Sequence, residues 1–100
     1  HHRYCVYITT NKNKTTLYVG VTSNIQRRLQ QHYEASFSGR KTFTGRYNCY
    51  YLIYIEGFRS IRKAIQREKE IKKWRREKKL RLIHCFKPEW AFLNNHYLDR

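Results

Sequence analysis

Two short runs, "YCVYIT" at 4–9 and "TLYVGV" at 16–21, are rich in Val, Ile, Tyr and Thr and flank the polar "NKNK" at 11–14, a pattern that reads as a β-hairpin. Side chains alternate across a strand, so this hairpin fixes two faces before anything else in the chain is placed. Val6 and Ile8 share one face; a turn centred between Lys12 and Asn13 sets them opposite Val19 and Leu17. The other face then carries Tyr7 opposite Tyr18, with Gly20 beside them.

"SNIQ" at 23–26 matches a capping box and predicts a helix starting there. Ile25, Leu29 and Tyr33 form its apolar line, while Arg28 and His32, four apart, share an adjacent face that can reach back toward the tyrosines. Residues 34–46 read as an exposed basic loop. "YNCYYLIYIEG" at 47–57 is apolar on both faces, as a central covered strand would be. Ser60 caps a long helix to about Trp74, whose apolar stripe is Ile61, Ala64, Ile65, Ile71 and Trp74. A further helix runs through Leu80 and Ile83 until Pro88 stops it, and "PEWAFL" closes the core with Trp90 and Phe92. A chain of 100 residues with a single proline fits one domain over 3–98, with His1 and His2 as a tag remnant.

Charge narrows the partner. Lys and Arg number 22 against 7 Asp and Glu, a net +15, and twelve of the bases lie between Arg59 and Arg81. Such a surface suits a polyanion, and with no apolar run near the roughly 20 residues of a membrane span, nucleic acid leads. Cys5, Cys49 and Cys85 form no CxxC pair and read as buried thiols in a reducing cytosol.

Glu68 stands out because it falls on the apolar stripe, seven after Ile61 and three before Ile71. Either it pairs with one of the many arginines, or it holds a divalent cation such as Mg²⁺, which needs only one or two carboxylates beside water and phosphate. Seven scattered acids offer no cluster for two-metal chemistry, so a nuclease here requires one metal and a base other than a carboxylate. Tyr7 or Tyr18 near Arg28 meets that requirement, since adjacent cations lower a phenol's pKa.

"VYI" at 6–8, "YVG" at 18–20, Arg28, His32 and the Glu68 of "AIQREKEIKKW" together resemble the GIY-YIG nuclease domain, above all its small stand-alone bacterial members. The resemblance implies an α/β (α+β) fold, a three-stranded antiparallel sheet flanked by helices, and hydrolysis of phosphodiesters by an endonuclease in the bacterial cytoplasm. By resemblance Tyr7 and Tyr18 activate or orient water, Arg28 stabilises charge on the scissile phosphate, His32 assists, and Glu68 binds one Mg²⁺ or Mn²⁺. Gly20 would admit backbone close to the phosphate, and Arg27, Arg40, Lys41, Arg46, Lys72, Arg75 and Lys87 would hold the nucleic acid, DNA rather than RNA, in a monomer or weak dimer. Two positions depart: Cys5 stands where the motif's name has Gly, and Lys87 precedes Pro88 where relatives carry Asn. The alternatives are a nucleic-acid-binding module without catalysis, with Tyr50, Tyr51 and Tyr54 as stacking surfaces, a degenerate nuclease that retains only binding, supported by Lys87, and a basic domain for an acidic protein partner.

Overall fold

The computed structural model describes residues 3–38 and 48–97. Along the chain run β1 Tyr4–Thr10, β2 Leu17–Thr22, α1 Ile25–Ser38, β3 Tyr51–Phe58, α2 Ile61–Lys73, α3 Arg76–Phe86 and the single turn α4 Asn94–Tyr97. The strands make one antiparallel sheet in the order β2-β1-β3, the α+β architecture expected from the sequence. The expectation of a central third strand is corrected: β3 is an edge and β1 the centre. Helices cover both faces of the sheet, and this coverage rather than the number of neighbouring strands makes β3 apolar on each side.

The hairpin register also differs from expectation. Tyr7 pairs with Gly20, Ile8 with Val19, Thr9 with Tyr18 and Thr10 with Leu17, so Tyr18 sits diagonal to Tyr7 rather than opposite it. Asn11 is the reason. Its side-chain oxygen accepts from the N–H groups of Thr15 at 2.8 Å and Thr16 at 3.1 Å, while Lys14, at φ 59°, donates its N–H to the Asn11 carbonyl at 3.0 Å. These bonds centre the turn one residue later than the polar run suggests. Every cross-strand partner then moves by two, and each side chain keeps its face.

One face carries Val6, Ile8, Val19, Ile53 and Tyr54 against Ala64 and Ile71 of α2 and Ile83 of α3. The other places Tyr7 and Leu52 against Leu29 of α1 and Leu93. On α2, Ile61 and Ile65 are exposed at 44% and 37%, contrary to the expected stripe. At about 100° per residue they lie roughly 60° and 100° round the helix from the buried Ala64–Ile71 line, beyond the sheet's reach.

Asn24, not Ser23, caps α1: its Oδ1 accepts from the Arg27 N–H at 3.0 Å, and Thr22 Oγ1 accepts from the Asn24 N–H at 3.1 Å. The helix continues to Ser38, so the first part of the expected loop is helical and the rest lies outside the described residues. Ser60 caps α2 as expected, Oγ accepting from the Lys63 N–H at 3.4 Å. After Pro88, Trp90 packs against the larger core as expected, but Leu93 closes the smaller one, while Phe92 is 37% exposed and stacks on Tyr51 at 4.4 Å between centroids. None of the three thiols is in a disulfide; Cys49 is buried, Cys5 partly covered and Cys85 exposed.

Candidate active site

The α1-covered face of the hairpin gathers polar side chains at its centre. Tyr7 rises from the middle strand, is fully buried, and lays its ring over Gly20. A Cβ at position 20 would stand 2.5 Å from the Tyr7 hydroxyl and 2.6 Å from Cζ. Gly20 is therefore spatially committed to Tyr7, where the sequence reading had given its space to a phosphate.

Only two residues separate β2 from α1, so its first turns cross back over this face. His32 descends from it, 5% exposed, with Nε2 2.9 Å from the Tyr7 hydroxyl. Tyr18 completes a triangle of rings, its centroid 6.2 Å from Tyr7 and 5.4 Å from His32. Arg28, one turn before His32, brings its guanidinium to the same place; its Nη1 donates to Gln31 at 3.4 Å, and its Nε is buried without a hydrogen-bond partner among the described residues. Thr9 Oγ1, in the β1 position paired with Tyr18, is buried in the same condition.

Burial controls the electrostatics. It pushes the Tyr7 hydroxyl far above the usual phenol range, helped by the neighbouring Tyr18, and the Arg28 charge that pulls the other way is outweighed. Arg28 thus does not turn Tyr7 into a base, as the sequence reading expected of a tyrosine beside it. Tyr7 keeps its proton and can donate it to His32. Burial, and next the Arg28 charge, bring His32 down to about 4, so its imidazole is neutral at pH 7 and its Nε2 can accept from the Tyr7 hydroxyl when the ring proton sits on Nδ1.

Glu68 reaches the edge of this site from α2. Its side chain is 12% exposed, as an inward position requires, and its Oε2 pairs with Lys72 Nζ at 2.5 Å. Lys72 Nζ lies 5.9 Å from the Tyr18 ring centroid, which joins the α2 carboxylate to the tyrosine cluster. The ion pair foreseen for Glu68 is thus with a lysine one turn along its own helix rather than with an arginine. Two other carboxylates of this region are held elsewhere: Arg67 binds Glu56 at 3.1 Å and Glu70 at 2.7 Å, and Glu56 also accepts from Tyr54, whose hydroxyl is pushed up to about 12 by burial and by that carboxylate.

Of the remaining expected contacts, Arg27 is exposed on α1, and Arg75 and Lys87 are exposed at the two ends of α3. Arg40, Lys41 and Arg46 lie outside the described residues. Sequence spacing missed the Glu68–Lys72 pairing as a feature of the site, although a Glu followed by Lys at i+4 was the signal for it.

Residues 3–81 match the family model described as the GIY-YIG catalytic domain. The chain belongs to the GIY-YIG family. It is 38% identical over 78 residues to a UPF0213 protein of Syntrophus aciditrophicus, an alignment covering 78% of this chain and 86% of the relative. It is 43% identical over 68 residues to one from Natronomonas pharaonis, covering 68% and 76% of the two chains. The solution NMR structure of the UPF0213 protein from Bacillus halodurans is similar in fold, with a TM-score of 0.51 and 33% identity over 82% of this chain and 83% of that one. GIY-YIG domains are typically endonucleases that bind nucleic acid and generally use a divalent metal ion. Among the described residues of this GIY-YIG domain, no helix is long and apolar enough to cross a membrane, and no group of three or more His, Cys, Asp or Glu could cage a metal. Glu68 is a largely covered carboxylate that could serve a hard cation as a single protein ligand, the remaining ligands coming from water and phosphate.

Proposed function

We propose that this GIY-YIG domain is an endonuclease that hydrolyses nucleic-acid phosphodiesters, DNA in preference to RNA, with one Mg²⁺ or Mn²⁺ on Glu68. The observation that carries this reading is the Arg28 Nε, a charged donor buried without a hydrogen-bond partner among the described residues, beside the Tyr7–His32–Tyr18 triangle. A buried guanidinium donor left unpaired is costly, and a phosphate oxygen is the acceptor that removes the cost.

In this reading Arg28 neutralises charge gathering on the phosphate, which is where preorganised donors act most strongly. Tyr7 and His32 form a fixed pair that holds the proton at the Tyr7 hydroxyl and shapes the floor of the site. Tyr18, less buried than Tyr7, orients or deprotonates the attacking water. A bound divalent cation would supply charge neutralisation at the scissile group. The surplus of bases on α2 and α3, together with the exposed Arg27 of α1 and Arg75 and Lys87 at the ends of α3, supports a backbone-tracking, sequence-independent grip. Three cysteines outside any disulfide fit a reducing cytoplasm.

The test is cleavage of labelled duplex, single-stranded and branched DNA, and of RNA, with Mg²⁺ or Mn²⁺ and with EDTA, beside the Glu68→Gln variant. Metal-dependent scission that disappears in the variant while binding persists is the expected result. Tight binding without scission on every substrate would refute it in favour of a binding-only domain, the reading that Lys87 in place of Asn favours; Lys87→Asn would then be the variant to restore activity.

A further inference from the structure

Among the described residues, Lys72 is the cation paired with Glu68, and the two side chains are unequally placed: Glu68 is 12% exposed and Lys72 49%. The carboxylate is held by the fold, whereas the ammonium stands on a flexible stem at the solvent side and can leave. In that same position Nζ lies 5.9 Å from the Tyr18 ring centroid, so a phosphate bound beside Tyr18 would come within reach of the Lys72 ammonium. Arg67 cannot take its place, being bound to both Glu56 and Glu70.

Resting on the nuclease reading above, we propose that Lys72 is a tethered competitor for the metal ligand. Its ammonium sits on the Glu68 oxygen that a divalent cation needs, and it leaves only when a phosphate offers it another anion. Metal and nucleic acid then bind with positive coupling, since each removes an obstacle to the other. A single carboxylate already shared with an ammonium is a poor site for a free divalent ion. It becomes a good one when substrate supplies phosphate oxygens and draws Lys72 away, so the protein stays largely metal-free until nucleic acid is in place.

The experiment measures Mn²⁺ binding by the electron paramagnetic resonance of the free ion, with no turnover involved. The full chain, Lys72→Met and Lys73→Met are titrated alone and with a phosphorothioate duplex. Lys73 is exposed, next in sequence, and its loss changes net charge equally. Lys72→Met should bind Mn²⁺ in the absence of nucleic acid roughly two- to fivefold tighter than the parent, the range set by partly exposed ion pairs, and Lys73→Met should not. Adding duplex should tighten Mn²⁺ binding more in the parent than in Lys72→Met. Equal gains in the two variants would reduce the effect to net charge, and unchanged or weaker Mn²⁺ binding in Lys72→Met would overturn the proposal, as would no Mn²⁺ binding in any variant with duplex present. Circular dichroism of each variant separates these outcomes from misfolding. A parent that cleaves DNA with metal but shows no Lys72 effect loses this proposal alone, whereas absence of cleavage with intact coupling loses the nuclease reading alone.

Discussion

Gly20→Ala is a small change with a large expected consequence. Gly20 has no left-handed φ, so conformational strain is not what demands glycine there; space is. The added methyl would sit 2.5, 2.6 and 2.9 Å from the Tyr7 hydroxyl, Cζ and Cε2, closer than carbon atoms in real structures come. The Tyr7 ring cannot retreat, because it is fully buried in the cluster with Leu29 and Leu52 and bonded to His32 at 2.9 Å. Replacing glycine by alanine in a compatible strand would stabilise by about 0.4–1 kcal/mol through the unfolded chain, whereas overpacking a core costs about 1–3 kcal/mol. The overpacking wins, leaving a net loss of about 1–2 kcal/mol, which for a domain of this size lowers Tm by roughly 5–15 °C. Urea denaturation measures the free energy, and the cleavage assay should show activity falling with it as the Tyr7–His32 pair is displaced. Adding Tyr7→Leu, which removes the ring, should make the double variant less destabilised than the sum of the singles by at least about 0.5 kcal/mol. A Gly20→Ala protein as stable as its parent, with additive energetics in the double variant, would refute the argument that position 20 is reserved for the Tyr7 ring.

His32 should stay neutral down to about pH 4 when followed by NMR of its ring protons. Its pKa is lowered on folding from 6.5, so the unfolded chain takes up its proton first: the contribution to stability is complete above pH 6.5 and is lost as pH falls toward 4, up to about 3 kcal/mol in all, which a His32→Gln variant should not lose. Arg28→Ala should cut the cleavage rate by roughly 100-fold while weakening DNA affinity far less, and a loss confined to affinity would make Arg28 an ordinary phosphate contact. Asn94→Ala should cost about 2 kcal/mol by urea denaturation, because its side chain satisfies both the Leu52 N–H and the Tyr50 carbonyl at 2.7 Å.

Alternation of side chains in the hairpin was legible and register was not, for a physical reason. The polar run locates a turn, but Asn11 decides where it closes, and its three bonds within the loop are a local competition that composition does not rank. A register shift of two residues keeps Tyr7, Tyr18 and Gly20 on one face and changes only which of them stand opposite each other. Arg28 and His32 were readable because four residues on a helix fix a direction. The inward position of Glu68 was readable too, though the periodicity that exposed it also placed Ile61 and Ile65 inside, where the sheet does not extend. What no spacing carries is the balance of burial against charge at Tyr7, which depends on how deeply a third element covers it.

The segment after Pro88 has an effect beyond closing the small core. The Leu93 N–H donates to the Leu52 carbonyl at 2.7 Å, and the Asn94 amide occupies the Leu52 N–H and the Tyr50 carbonyl. The outer rim of β3 is thereby consumed where it begins, at the point where an extended chain from another molecule could otherwise add itself as a further strand. In a domain of a family that binds nucleic acid, where copies can meet on one polyanion, this guards the edge against strand addition. A few residues of irregular backbone keep crowded neighbours from joining their sheets.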